Sequence, residues 1–259
     1  MRLRSRWLAA LPLALGCSSS DAGPEAAAAP DAGAEVAVEA APGPLVDVTG
    51  KAFVFFSPTG TEDVTGATIA ATELPSSTTT VQADGTFALR VPSGAAYSFT
   101  LTKQGFHTTQ TATLLVGPSG LDRVGFQVPP DAVFAALASV VKVEADPTRC
   151  QIATTVSAAG TTPYGGDAVG EPGVTVTIDP PVPAASGPVY FAYYAGGMIL
   201  PDRALTETTV DGGVLFLDVA PGDYRLTAHK AGKTFTPVDL RCRAGVLVNA
   251  APPRGLQTL

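Results

Sequence analysis

Histidine, the side chain most often used as a general acid or base and as a metal ligand, occurs only twice in this chain. The two histidines, His107 and His229, lie far apart, and neither has the HxxE spacing of a zinc peptidase. An iron site of histidines and tyrosines would need two histidines in one domain. The chain also lacks a GxSxG elbow, a P-loop and a GxGxxG fingerprint. The sequence therefore predicts a protein without a catalytic residue, a cofactor or a metal. We expect His229 to lie on the surface of a strand.

An aromatic segment, VYFAYYAGG at 189–197, is the best candidate for binding a ligand. On a strand, Tyr190 and Tyr194 would face one side and Tyr193 the other. One set belongs in the core, and the second either covers the sheet or stacks against sugar rings. Tyr190, Tyr193 and Tyr194 are therefore the candidate ligand-binding residues, with structural packing as the competing interpretation.

Acidic residues gather in two stretches and raise the question of a calcium site. Calcium needs several converging oxygen ligands, and no DxDxDG run is present. We therefore favour solvated carboxylates in turns over a metal site. The residues concerned are Asp202, Glu207, Asp211 and Asp218, together with Asp167 and Glu171.

The N-terminus has the order of a secretory signal peptide over residues 1–16. Arginines at positions 2, 4 and 6 precede the apolar run LAALPLALG, which is too short to span a bilayer. Ala14-Leu15-Gly16-Cys17 resembles the bacterial lipobox, although Ala14 stands where leucine is usual. That resemblance implies lipidation of Cys17, and Ser18 after it implies export to the outer membrane, facing the periplasm or the cell surface. The alternative is an ordinary signal peptide with a free thiol.

The two other cysteines, Cys150 and Cys242, form an even remainder once Cys17 is set aside. In an oxidising compartment such a remainder indicates a disulfide, with two buried thiols as the alternative.

Residues 17–45 predict a lipid-bearing cysteine followed by a disordered tether. The stretch 18–44 has five acidic residues, no basic ones and no aromatics, so it cannot offset its chain entropy by burial.

The whole chain carries a net charge of −7, and the signal peptide removes three arginines. An acidic chain repels phosphate backbones, which excludes nucleic acid as a partner.

From residue 45 onward, apolar and polar residues alternate between Gly and Pro turns, which is typical of an all-β sandwich. One segment differs, because apolar residues in PPDAVFAALASVVKV follow helical spacing. It predicts a helix over 131–142, with Asp131 as its N-cap, and another strand is the alternative. We therefore expect a domain at 46–128, a linker with a short helix at 129–147, and a second domain at 148–259.

An internal repeat relates the two domains. Asp84-Gly85, Tyr97, Lys103 and Gly105 recur 127 residues later as Asp211-Gly212, Tyr224, Lys230 and Gly232. Asp-Gly supplies the positive φ of a tight hairpin turn. We expect Lys103 and Lys230 to be solvated turn residues.

The repeated pattern DG(x)FxLxVPxGxYxLxxxKxG resembles the carboxypeptidase regulatory-like domain and the B-type repeats of bacterial collagen adhesins. The resemblance implies two tandem prealbumin-like, immunoglobulin-like β-sandwiches with a structural or adhesive role. Adhesin-type isopeptide crosslinks are not expected, because Lys51 lacks an asparagine on the last strand of its domain and Asn249 lacks a lysine on the first. The implied partners are the membrane, through the lipid anchor, and an envelope protein. The alternative is a carbohydrate-binding module that uses Tyr190 and Tyr194.

Overall fold

Alternating burial along the strands builds most of the structure, a computed structural model that describes residues 43–56, 62–161, 170–194 and 198–259. In TFALRVP, for example, Phe87, Leu89 and Val91 are buried while the residues between them are exposed. The predictions for the signal peptide, Cys17, residues 18–42 of the tether and Asp167 lie outside the described residues.

In its described residues, the first sandwich contains nine strands. They are β1 (Leu45–Val54), β2 (Thr68–Ala71), β3 (Leu74–Thr80), β4 (Thr86–Pro92), β5 (Ala96–Tyr97), β6 (Phe99–Thr102), β7 (Thr109–Gln110), β8 (Leu114–Leu115) and β9 (Leu121–Val128). A helix, α1 (Asp131–Val140), follows. The second sandwich contains β10 (Cys150–Ser157), β11 (Thr175–Asp179), β12 (Val189–Tyr193), β13 (Ile199–Asp202), β14 (Gly213–Val219), β15 (Gly222–His229), β16 (Val238–Cys242), β17 (Leu247–Ala250) and β18 (Leu256–Gln257), with a 3₁₀ turn at Ala184–Ser186.

The helix predicted between the sandwiches is confirmed, but its N-cap is not. Pro130 is the capping residue, and Asp131 is the first helical residue, without a side-chain capping bond. The backbone N–H of Asp131 instead donates to the carbonyl of Gly105, 3.0 Å away. Contact with the first sandwich therefore sets where α1 begins. Among the described residues, no helix has the length and apolar composition to cross a membrane.

The predicted all-β fold is confirmed, and the sequence repeat is also a structural repeat. In the first sandwich β1 pairs antiparallel with β4 and parallel with β9, and in the second β10 pairs in the same way with β14 and β17. The facing layers are β3-β2-β6-β7 in the first sandwich and β11-β15-β16 in the second. Each sandwich buries its own apolar core between its layers.

A single ten-stranded sheet runs through both sandwiches. It is continuous because β17 of the second pairs parallel with β7 of the first, with Leu247 opposite Thr109 and Val248 opposite Gln110. The described residues from 43 onward accordingly form one compact unit. We call the contacts of β7 and its flanking residues with β16 and β17 the seam.

The Cys150–Cys242 disulfide predicted from the cysteine count is confirmed. Its Cα atoms are 5.7 Å apart, and it joins β10 to β16, so that it connects the two layers of the second sandwich. Both residues are buried, at 0% and 2% exposure. In the chain-entropy account, a crosslink across 92 residues stabilises the fold by about 4–5 kcal/mol.

Two repeat glycines of the second sandwich, in the Asp-Gly turn and in the KxG turn, are required for different reasons, which substitution can distinguish. Gly212 has φ of +73°, and a Cβ there would lie 2.2 Å from the carbonyl oxygen of Val156. Gly232 has φ of +74° but faces open space. Gly232→Ala should therefore cost only the left-handed strain, about 1–2 kcal/mol, and Gly212→Ala about 1–3 kcal/mol more because of the clash. Urea unfolding of both variants checks this, and equal losses would contradict it.

Candidate functional surfaces

Tyr190, one of the three candidate ligand-binding tyrosines, lies in the core. Tyr190 is 2% exposed and packs among the core residues of the second sandwich. Its hydroxyl accepts a hydrogen bond from the backbone N–H of Val176 at 3.1 Å, and burial raises the pKa of the phenol. Of the two interpretations, structural packing therefore describes Tyr190, which joins β12 to β11 and does not form an exposed pair with Tyr194.

Tyr193 and Tyr194 are exposed, at 52% and 43%, where β12 turns toward β13. The backbone N–H of Tyr194 donates to the carbonyl of Met198 at 2.8 Å, so the hairpin ladder extends past the strand end. The Tyr194 hydroxyl donates to Asp202 Oδ2 at 3.0 Å, which raises the pKa of the phenol. Neighbouring residues of a ladder point to opposite sides, so these two rings do not form one stacking platform.

The outer face of β12 is covered as well. Val189 and Phe191 pack with Leu215 and Leu217 in a satellite cluster, which Val141 at the end of α1 completes. Both sets of alternating side chains on this strand are thus largely buried, and only the hairpin end remains open.

The repeat lysines hold loops in both sandwiches. Lys103 Nζ donates to the backbone carbonyls of Asp63 and Thr65, at 2.6 and 3.1 Å, and lies 3.3 Å from Asp63 Oδ1. Its side chain is 25% exposed. The prediction of a solvated turn residue is therefore wrong for Lys103, which fixes the segment leading into β2.

Lys230 plays the equivalent part in the second sandwich. Its ammonium donates to the carbonyl of Pro172 at 2.7 Å and forms an ion pair with Glu171. Its side chain is 29% exposed, so the solvated-turn prediction is wrong here too. In each sandwich the lysine follows a strand (β6 or β15) and holds the segment that leads into that strand's partner (β2 or β11). The sequence signal for this role was the repeated KxG spacing.

Glu171 is a buried carboxylate held by two lysines. Its residue is 7% exposed, and Lys233 Nζ lies 2.6 Å from Oε2 while Lys230 pairs with Oε1. Hydrogen bonds from Lys230 and Lys233 hold the pKa of Glu171 below its usual range. The carboxylate is therefore ionised and internally neutralised, which leaves it unsuited to calcium.

Two other carboxylates of the calcium hypothesis also make local contacts. Asp202 accepts from the N–H of Ala204 at 2.8 Å, and Asp218 accepts from Gln151 Nε2 at the same distance. Within the described ranges, no three acidic, histidine or cysteine side chains converge as metal ligands do.

The two aspartates of the repeated Asp-Gly turn have diverged. Asp84 is exposed and accepts hydrogen bonds from Thr86 Oγ1 and N, at 2.6 and 2.9 Å, which lower its pKa. Asp211 is half-buried, with the N–H of Gly213 as its backbone partner at 3.1 Å, and burial raises its pKa. Gly213 stands where the first sandwich has Thr86, so the hydroxyl partner is lost. The repeat register identifies this change, although the pattern alone does not reveal the burial.

The histidines occupy unrelated places. His229 lies exposed on β15, with Nε2 2.9 Å from Thr177 Oγ1. It borders an open cleft of about 460 Å³ lined by residues 227–231 and 233–235, whose two lysines are those paired with Glu171. His107 stacks on Phe134 of α1 with ring centroids 3.6 Å apart, and burial lowers its pKa. This stack attaches the helix to the first sandwich, and no sequence signal predicted it.

The chain matches no protein-family model and no curated protein. It is similar in structure to the minor pilin GBS52 of Streptococcus agalactiae, with 9% identity, a TM-score of 0.26, and coverage of 83% of this chain and 96% of that one. The shaft pilin SpaA of Lactobacillus rhamnosus GG has 11% identity and a TM-score of 0.23, with 83% and 98% of the chains covered. The TIE protein of Bacillus anthracis has 12% identity and a TM-score of 0.24, and the chain spans 34% of its length against 83% of its own.

Glu171 should contribute stability that depends on pH. Because its folded pKa is lowered, that stability is present above the unfolded pKa and is lost as the pH falls through the folded pKa. Glu171→Gln should lower the free energy of unfolding by about 1–3 kcal/mol at pH 7. The deficit should shrink in acid, as measured by urea unfolding from pH 7 to 3. Asp223→Asn, which breaks the exposed pair with Arg241, is the control and should have little effect. A pH-independent loss for Glu171→Gln would contradict the prediction.

Asp211 and Asp84 should respond in opposite directions to the same substitution. The raised folded pKa of Asp211 means that its ionisation weakens the fold as the pH rises through that value. Asp211→Asn should therefore raise the free energy of unfolding at pH 7, and the gain should vanish in acid. Asp84→Asn should lower it, because the pKa of Asp84 is depressed. Unfolding of both variants across pH tests this, and matching signs at pH 7 would refute it.

Proposed function

We propose that this protein is a non-catalytic lipoprotein of the cell envelope, anchored through Cys17, whose two joined β-sandwiches make structural or adhesive contacts with other envelope proteins. The observation that carries the proposal is the ten-stranded sheet shared by both sandwiches. A sheet that crosses from one module to the next resists bending at the junction, which is a property of a spacer or a presenting surface.

Polar side chains at the seam support this rigidity. Gln110 Nε2 donates to the carbonyl of Arg241 at 2.7 Å, and its Oε1 accepts from Arg243 at 2.6 Å. Arg243 also donates to Glu73 Oε1 of the first sandwich at 2.6 Å. Arg243 thus bridges two side chains of the first sandwich, and hydrogen bonds from a charged donor are stronger than those between neutral groups.

Apolar contacts across the junction support the proposal in a second way. Ala112 lies in the core of the second sandwich although it belongs to the first, and Leu114 packs against that core. At the other layer, Arg254 donates to the carbonyl and carboxylate of Asp122, at 2.8 and 2.9 Å. Hinge motion between the sandwiches would have to break these contacts together.

The ionisable groups of the described residues support a non-catalytic role. An active site brings groups with perturbed pKa values together in a cleft. Here Glu171, Asp211 and Tyr190 have shifted pKa values for three separate structural reasons, namely two lysines, burial beside a turn, and core packing.

Metabolic labelling tests the anchor. The full chain, expressed in a Gram-negative host fed an alkyne fatty acid, should become labelled and should fractionate with the outer membrane. Cys17→Ser should abolish both, whereas Cys150→Ser/Cys242→Ser should keep the label. If the wild-type protein carries no fatty acid, the proposed lipid anchor is wrong. The proposed contacts with envelope proteins are tested separately.

Crosslinking on intact cells tests the presenting role. Wild-type protein should be recovered in covalent complexes with envelope proteins, and Cys17→Ser, released from the membrane, should give far fewer. Recovery of uncrosslinked protein alone from both would contradict a structural or adhesive role.

The exposed rings of Tyr193 and Tyr194 favour one second candidate, a carbohydrate-binding module. A sugar would bind these rings by stacking against them. Replacement of a stacking ring by alanine, in Tyr193→Ala or Tyr194→Ala, should therefore lower the glycan-array signal at least about tenfold. Tyr190→Phe, which alters only a core hydroxyl, is the control and should keep the signal. If the wild-type chain binds no glycan, this candidate is wrong.

A further inference from the structure

β16 is the strand through which the smaller layer of the second sandwich reaches the first sandwich. One edge of β16 pairs with β15. On the opposite edge, the carbonyl of Asp239 accepts from the N–H of Thr113 at 2.8 Å, and the carbonyl of Arg241 accepts from Gln110 at 2.7 Å. Both partners belong to the first sandwich, so β16 lies between the two modules.

The larger layer reaches the first sandwich through β17. Its residue Leu247 donates from the backbone N–H to the carbonyl of Thr108 at 2.9 Å. The other edge of β17 pairs with β10 over residues 247–250. The position of β17 on the seam therefore depends on β10.

The disulfide connects these two routes. Cys242 is the last residue of β16 and lies between Arg241 and Arg243, which both contact Gln110. Cys150 is the first residue of β10. The S–S bond thus joins the layer that contacts the seam through β16 to the layer that contacts it through β17.

We propose that the Cys150–Cys242 disulfide is a lock on the seam: its reduction loosens the joint between the sandwiches, and the intact seam in turn shields the bond from reductants. This coupling holds whatever the protein presents or binds. The two effects are reciprocal. If the disulfide stabilises the seam by a given free energy, the seam must stabilise the disulfide by the same free energy.

Reduction of the Cys150–Cys242 disulfide requires an external thiol. A thiolate of the reductant attacks one cysteine sulfur along the S–S axis and forms a mixed disulfide, and the other cysteine leaves as a thiolate that takes a proton. A second thiol of the reductant then releases the first cysteine as a thiol, and the reductant is oxidised to its own disulfide. Both cysteines are buried, so attack needs displacement of β16 or β10.

The rate of reduction by dithiothreitol tests the lock with the native cysteines in place. Arg243→Met removes the side-chain contacts to Gln110 and Glu73 and should speed reduction about tenfold, the factor expected for lost charge-assisted hydrogen bonds. Arg225→Met is the matched control, because Arg225 pairs with Asp239 on the same layer through contacts confined to the second sandwich. It should leave the rate unchanged. Equal rates for both variants and the wild type would overturn the proposal.

Hydrogen exchange tests the reciprocal effect. In Cys150→Ala/Cys242→Ala, the amides of Thr113 and Leu247 should exchange at least about tenfold faster than in the oxidised wild type, more than the amides that join β1 to β4. Loss confined to β10 and β16, or a uniform loss throughout the chain, would contradict a lock on the seam. If the double variant does not fold, the reduction rates decide alone.

Discussion

The parallel pairing of β17 with β7 is the interaction on which the architecture depends. It involves only two register pairs, Leu247 with Thr109 and Val248 with Gln110. Two short strands would hold poorly by themselves, since a pair of strands needs further burial to be stable. Here side-chain hydrogen bonds flank the pairing, from Arg243 to Gln110 on one side and from Arg254 to Asp122 on the other. The short ladder is therefore protected from water by contacts on both sides.

Each sandwich contains one lysine that holds the equivalent loop, although the side chains around that lysine differ. A lysine after β6 or β15 binds carbonyls of the loop ahead of the partner strand, which ties a long connection to the sheet. In the first sandwich the accompanying carboxylate is the exposed Asp63, and in the second it is the buried Glu171 with an additional lysine. The lysine-to-carbonyl contact is therefore shared by the two sandwiches, while the charged groups around it differ.

Much of the fold could be predicted from the sequence because the signals were local or periodic. The strand alternation, the helical spacing after Pro130 and the even cysteine remainder each favoured the arrangement that the structure has. The orientation of Tyr190 could not be predicted in this way, because alternation divides β12 into two faces without stating which is covered, and here both are. The contact partners of Lys103 and Lys230 were equally hidden, since they are backbone carbonyls that any sequence supplies. The β7–β17 pairing joins strands of two and four residues that are far apart in the chain, and such short segments carry no periodicity.

The placement of Ala112 in the neighbouring core has a consequence for the history of the chain. Repeated modules of a protein can be gained, lost or shuffled when each folds by itself. A module whose apolar residues complete the interior of the next one cannot be moved alone without exposing that interior. The two sandwiches are therefore expected to be inherited as an indivisible pair, and recombination within the gene should be tolerated outside the pair rather than between its members.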